Sequence, residues 1–150
     1  MTLTDPRGDP SLLQTVVAHE HEHIEQLLRE ARVNTPTPGV REQLVGQLIV
    51  ALGGHLNTEA SVVAPEVEHA LDADDRERVA GDSRQFRDLL GGRIDDPALD
   101  ELAAAIADHV ALYDGLLRRL GEAVGADRMA TLGFEFGRAA ETAPTRFPPS

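Results

Sequence analysis

Three histidines and a glutamate, His21, His55, His109 and Glu59, are spaced so that they could share a metal ion. His55 and Glu59 stand four residues apart, the separation at which two side chains leave the same face of a helix. Neutral imidazole and ionised carboxylate together suit iron, manganese or zinc. The chain has no cysteine, which excludes thiolate ligation, a Cys nucleophile and a disulfide framework. Any metal must therefore be held by His and carboxylate.

Such ligands are useful only if separate elements bring them together, and apolar periodicity supplies those elements. Leu13, Val17, Ile24, Leu28 and Ala31 recur at helical spacing up to about Arg32, with Asp9 and Pro10 as a start signal and His21 at the edge of the stripe. After the breaker NTPTPG, a second helix is expected from Val40 through Leu44, Leu48 and Leu52. Its stripe continues through His55, Glu59 and Val62, and Pro65 should kink or end it. A third runs from about Asp75 to Leu90 with Val79, Ser83, Phe86 and Leu90 inward. A fourth, starting at Asp96 and Pro97, carries Leu99, Leu102, Ile106, His109, Tyr113, Leu116 and Leu120. A short helix of about 126–141 bears Met129, Leu132 and Phe136, and the tail from 143 to 150 should be loosely held. No strand or internal repeat is evident. The expectation is one all-α domain over 1–150, an antiparallel up-down four-helix bundle (about 10–124) with an extra C-terminal helix.

Composition narrows the partners. The 150 residues include 41% apolar but only 3% aromatic side chains, so the core must be built from Leu, Val, Ile and Ala. A formal charge of −12 would repel phosphate backbones and anionic membrane surfaces, which argues against nucleic acid and membrane partners. The first residues do not form a secretory signal and no apolar run approaches the length of a membrane span, so a cytoplasmic location is expected.

With these residues in view, the chain resembles the haemerythrin-like (HHE cation-binding) family over about residues 11 to 145. EHEHIEQLL is similar to the family's first-helix His motif, HLNTEASVVAP to its His, Glu and Pro pattern, and HVALYD to its fourth-helix motif. The terminal ETAPTRFPPS is similar to tails of actinobacterial members. The resemblance implies that His21, His55 and His109 occupy iron-ligand positions and that Glu59 occupies a bridging position. It also implies a second carboxylate either five residues after His109, where this chain has Asp114, or four residues after it, where Tyr113 stands in place of the family's glutamate. The third-helix histidines of the family fall on Val79 and Ser83, so a full di-iron set is not present. One firmly held ion, or one with a weak second site, is expected.

The function implied is a non-haem metal protein, with iron as the expected metal and manganese or zinc as alternatives, that binds or reacts with dioxygen, peroxide or nitric oxide. Two rival readings stand beside it. One is a metal-dependent oxidase or oxygenase acting on a small organic molecule near Gly53, Gly54 and Gly115. The other is a metal-free bundle serving as an interaction module. His19, His23 and His69 are expected at the surface. Metal affinity should fall as pH drops through the histidine range near about 6.5, and an affinity flat from about pH 5 to 8 would argue against histidine ligation.

Overall fold

The structure is a computed structural model that describes residues 12–33 and 37–149. It contains five helices and, among the described residues, no strand: α1 (Leu13–Arg32), α2 (Pro38–Ala70), α3 (Ala73–Gly91), α4 (Asp96–Val124) and α5 (Ala126–Thr142). None is long and apolar enough to cross a membrane. α1 packs against α2, α4 and α5, while α3 packs against α2 and α4, so α2 and α4 are common to both sides of the bundle.

Local chemistry explains most boundaries. Asp9 and Pro10 lie outside the described residues, and α1 begins after Leu12, whose side chain caps nothing. α3 begins two residues earlier than about Asp75, because Asp72 accepts a hydrogen bond from the Asp75 N–H at 3.0 Å. α4 is capped by Asp95 rather than Asp96: the Asp95 carboxylate accepts from the Ala98 N–H at 3.0 Å. Asp96 then falls in the first turn, where a negative charge complements the helix dipole. α2 runs through Pro65 to Ala70. Pro65 removes the partner of the Ser61 carbonyl, but both residues are exposed, so water can supply the missing bond.

The core is divided into two apolar clusters. α1 contributes Leu13 and Val17 to one cluster and Ile24 and Leu28 to the other; α4 gives Tyr113, Leu116 and Leu120 to the first and Leu99, Leu102 and Ile106 to the second. α2 divides likewise, with Val62, Val63 and Val67 in the first and Leu48, Leu52 and Leu56 in the second. α3 supplies Val79 to one and Phe86 to the other. α5 is integral to the first cluster through Met129, Leu132 and Phe136, each burial contributing about 1.5–3 kcal/mol before entropy.

The tail differs from its composition. Residues 143–149 form a strap along α2, held where the buried Asn57 amide donates to the carbonyls of Pro144 and Arg146, both at 2.7 Å. Gly53 permits the approach, since a Cβ there would collide with the Thr145 carbonyl. Phe147 packs against the second cluster. Small and polar residues suggested a loose tail, yet the strap is fixed by one amide and one missing side chain. Asn57→Ala should therefore lower stability by about 1–3 kcal/mol, two hydrogen bonds at roughly 0.5–1.5 kcal/mol each. It should also speed amide exchange in 143–149. Unchanged exchange there, read by mass spectrometry, would refute the clasp.

Candidate metal centre

Between the two apolar clusters lies a layer of polar side chains. Each of the first four helices changes cluster at the point where it carries one: His21 on α1, His55 and Glu59 on α2, Asp82 on α3 and His109 on α4. His21, His55, Glu59 and His109 are all buried, at 3, 3, 2 and 2% exposure, and each offers a ligand atom within 4.8 Å of the others. The sequence-derived set is thus brought together from three helices as one group that could hold a metal ion.

The geometry centres on Glu59. His55 Nε2 lies 2.8 Å and His21 Nε2 3.5 Å from its Oε2, and His109 Nε2 lies 3.0 Å from its Oε1. These approaches lack the angles of hydrogen bonds, and His21, His55 and His109 Nε2 together with both Glu59 oxygens have no hydrogen-bond partner. Donor atoms sharing one ion at about 2.0–2.2 Å would stand roughly 2.8–3.6 Å apart, and each histidine Nε2 lies within that range of one Glu59 oxygen.

Two further carboxylates orient the rings. Glu20 Oε1 lies 2.8 Å from His55 Nδ1, and Asp82 Oδ2 lies 2.7 Å from His109 Nδ1. An ionised carboxylate can only accept, so each Nδ1 carries the proton and, in the neutral ring, Nε2 presents a lone pair to the interior. Lone pairs of His55 and His109 therefore face a carboxylate that is itself an acceptor. A cation resolves that conflict.

Neither Glu20 nor Asp82 was among the candidates read from the sequence. Asp82 could have been found, since Val79, Asp82 and Phe86 follow one another at spacings of three and four. The stripe through Ser83 is expected instead, and Ser83 is half-buried. Glu20 is next to His21 on α1 and reaches across to α2, for which periodicity gives no signal. Arg119, on α4, fastens the first turn of α3 by pairing with both oxygens of Asp75 at 2.6 and 3.2 Å.

The remaining candidates are placed differently. Tyr113 is buried, stacks on His109 with ring centres 4.4 Å apart and stands edge-on to His21 at 6.1 Å. Asp114 is exposed and is not in the converging group; it lines a separate cavity with Leu12, Gln14 and Arg118. His19, His23 and His69 are exposed. Of the glycines expected to leave space, Gly53 is covered by the strap, whereas Gly54 borders a cavity of about 300 Å³ that also touches His55 and Glu20.

Without a metal, protons take up part of the charge. Burial alone would lower His109, but the charge of Glu59 and the Asp82 hydrogen bond outweigh it and raise the imidazole to about 10. Burial is likewise outweighed at His55 by Glu59 and Glu20, so that ring is also raised, while burial keeps His21 below the ordinary histidine value. Burial would raise Glu59, but the charges of His109 and His55 hold it well below the usual carboxylate range. Burial, followed by the nearby Glu59 and Asp82 charges, pushes the Tyr113 phenol well above 10.

No family model, curated protein or solved structure matches the chain.

These shifts move the pH window predicted from ordinary histidines. A raised His109 stabilises the metal-free fold fully below its unfolded value of 6.5, and that contribution is lost as pH rises through about 10. Depressed Glu59 acts oppositely, stabilising above 4.5 and losing its contribution as pH falls through its folded value. Urea unfolding of the metal-free protein should therefore show greater stability near about pH 5.5 than near about pH 10, a difference that Glu59→Gln should shrink. Metal must displace the His109 proton, so apparent affinity should keep rising well above pH 6.5. Affinity that levels off at 6.5 would contradict this coupling.

Proposed function

We propose that the chain is a haemerythrin-like non-haem metal protein holding a single ion, iron in the first instance, through His21, His55, Glu59 and His109. The observation that carries the proposal is the buried set of five side-chain nitrogen and oxygen atoms on these residues that have no hydrogen-bond partner. A metal-free interaction module would have to keep that set buried at a cost of several kcal/mol. An antiparallel up-down run of α1 to α4 is supported by the order in which the helices meet the two clusters: α1 and α3 pass from the first to the second, α2 and α4 from the second to the first.

The resemblance supports iron over zinc as the working metal. Four protein donors would complete the usual four-coordinate shell of zinc, whereas a six-coordinate iron or manganese ion would keep two positions for an outside ligand. Charge points the same way. Glu59, Glu20 and Asp82 supply three negative charges around three imidazoles. With neutral rings, a divalent ion leaves one charge uncompensated and a trivalent ion leaves none.

When bound, iron would supply binding of, or redox reaction with, dioxygen, peroxide or nitric oxide. The chain's own residues prepare for this. Glu20 and Asp82 fix the ring tautomers, Phe86, Phe136 and Tyr113 lie against the imidazoles and exclude water, and Glu59 provides the negative donor. A second reading, oxidation of a small organic molecule, has in its favour the cavity against His55.

Metal analysis and spectra test the proposal directly. Protein purified without a His tag and reconstituted with ferrous iron should hold about one ion per chain, with no oxo-bridge absorption in air and a new visible band on exposure to nitric oxide. His55→Ala and Glu59→Ala should each strip most of the metal while the helical circular dichroism persists. Unchanged metal in both variants would sink the assignment. Tyr113→Phe separates packing from coordination: loss of a charge-transfer colour would make the phenol a ligand, and retention of metal and spectrum would leave it a stacking partner.

A further inference from the structure

α1 carries two more histidines that the buried centre does not use. His19 and His23 are both exposed and four residues apart, which puts their Cβ atoms about 5–6 Å from one another on one helix face. Histidines at that spacing on a helix can chelate one divalent transition ion, the arrangement used by helical zinc motifs. They line one shallow surface depression with Glu22, Glu25, Gln26 and Arg29. The two glutamates favour a cation there, and Arg29 is the one opposing charge.

His23 also belongs to a second space. It borders the cavity of about 300 Å³ whose other polar lining includes Glu20, His55 and Thr145, and no Lys or Arg lines it. Glu20, 30% exposed in its side chain, touches the cavity and at the same time accepts from His55 Nδ1. The surface depression and this cavity share His23, the cavity and the buried cluster share His55, and Glu20 puts a carboxylate between them.

We propose that His19 and His23 form a surface capture site for a divalent transition metal ion, which then passes through this cavity beside Glu20 to the buried cluster. The proposal rests on the metal-binding reading above. It gives a role to the alternation HEHEH in α1: the outer histidines gather the ion, Glu20 flanks its path, and His21 helps to retain it.

Zn²⁺ is the probe, titrated into the metal-free protein at low ionic strength while each imidazole is followed by NMR and loading of the buried cluster by stopped flow. His19 and His23 should respond as one class of site, and His21, His55 and His109 as a second, tighter one. In the double variant His19→Ala/His23→Ala the first class should vanish and loading should slow about tenfold or more, the scale of local concentration effects in charged clefts. The final occupancy of the buried cluster should be unchanged. Glu59→Gln should keep the response of His19 and His23. Unresponsive His19 and His23, or an unchanged loading rate in the double variant, would overturn the capture site while leaving the buried centre standing. Zn²⁺ that moves His19 and His23 but never the buried histidines would overturn both readings.

Discussion

A carboxylate placed in the middle of a hydrocarbon core is the constraint from which the rest of this fold follows. Glu59 is 2% exposed, and an ionised carboxylate so far from water is tolerated only beside compensating charge. The compensation available here is three imidazoles, two of them turned toward Glu59 by carboxylates behind them. Those outer carboxylates improve His55 and His109 as ligands and at the same time add negative charge. The layer therefore holds more acceptors than donors until a cation or protons enter it. A metal held in this layer would compete with protons for the same lone pairs, which would link occupancy, protonation and stability.

That layer also organises the hydrophobic core. Four helices change cluster at it, which divides the apolar interior into two parts with a polar septum between them. A one-residue rotation of any of these helices would turn a ligand by about 100° and lose it from the septum. An apolar core assembled mainly from Leu, Val and Ala allows many nearly equivalent packings. Converging ligands do not, so the septum selects one register at some cost in stability. α5 reinforces the arrangement by closing the first cluster with Phe136, whose ring stands 6.1 Å from that of His55.

Sequence periodicity made the helices and the four converging side chains legible, because a histidine or glutamate on an apolar stripe has one direction to face. It was weaker wherever the decisive partner came from elsewhere in the chain. Adjacent Asp95 and Asp96 offer the same capping chemistry, and only the path of the backbone selects the first. Glu20 looks like a solvated residue until α2 is beside it. The strap could not be read from ETAPTRFPPS, since its anchors are Asn57 and the missing side chain of Gly53, almost a hundred residues earlier. Asp114, at the edge of the α4 stripe, is exposed in the fold and lies outside the converging group.

The two carboxylate–imidazole pairs look alike but differ in their access to water. Asp82 is 8% exposed in its side chain and its partner His109 is covered by Phe86 and Tyr113, whereas Glu20 is 30% exposed and opens on a cavity. His109 is raised to about 10 first by the charge of Glu59 and then by its hydrogen bond to Asp82, both acting on a buried ring. Charge at the Glu20 pair is shared with solvent, so the same contact distance binds less tightly and exchanges more readily. The cavity of about 300 Å³ that touches Glu20 and His55 opens on the face where α1, α2 and the C-terminal strap meet.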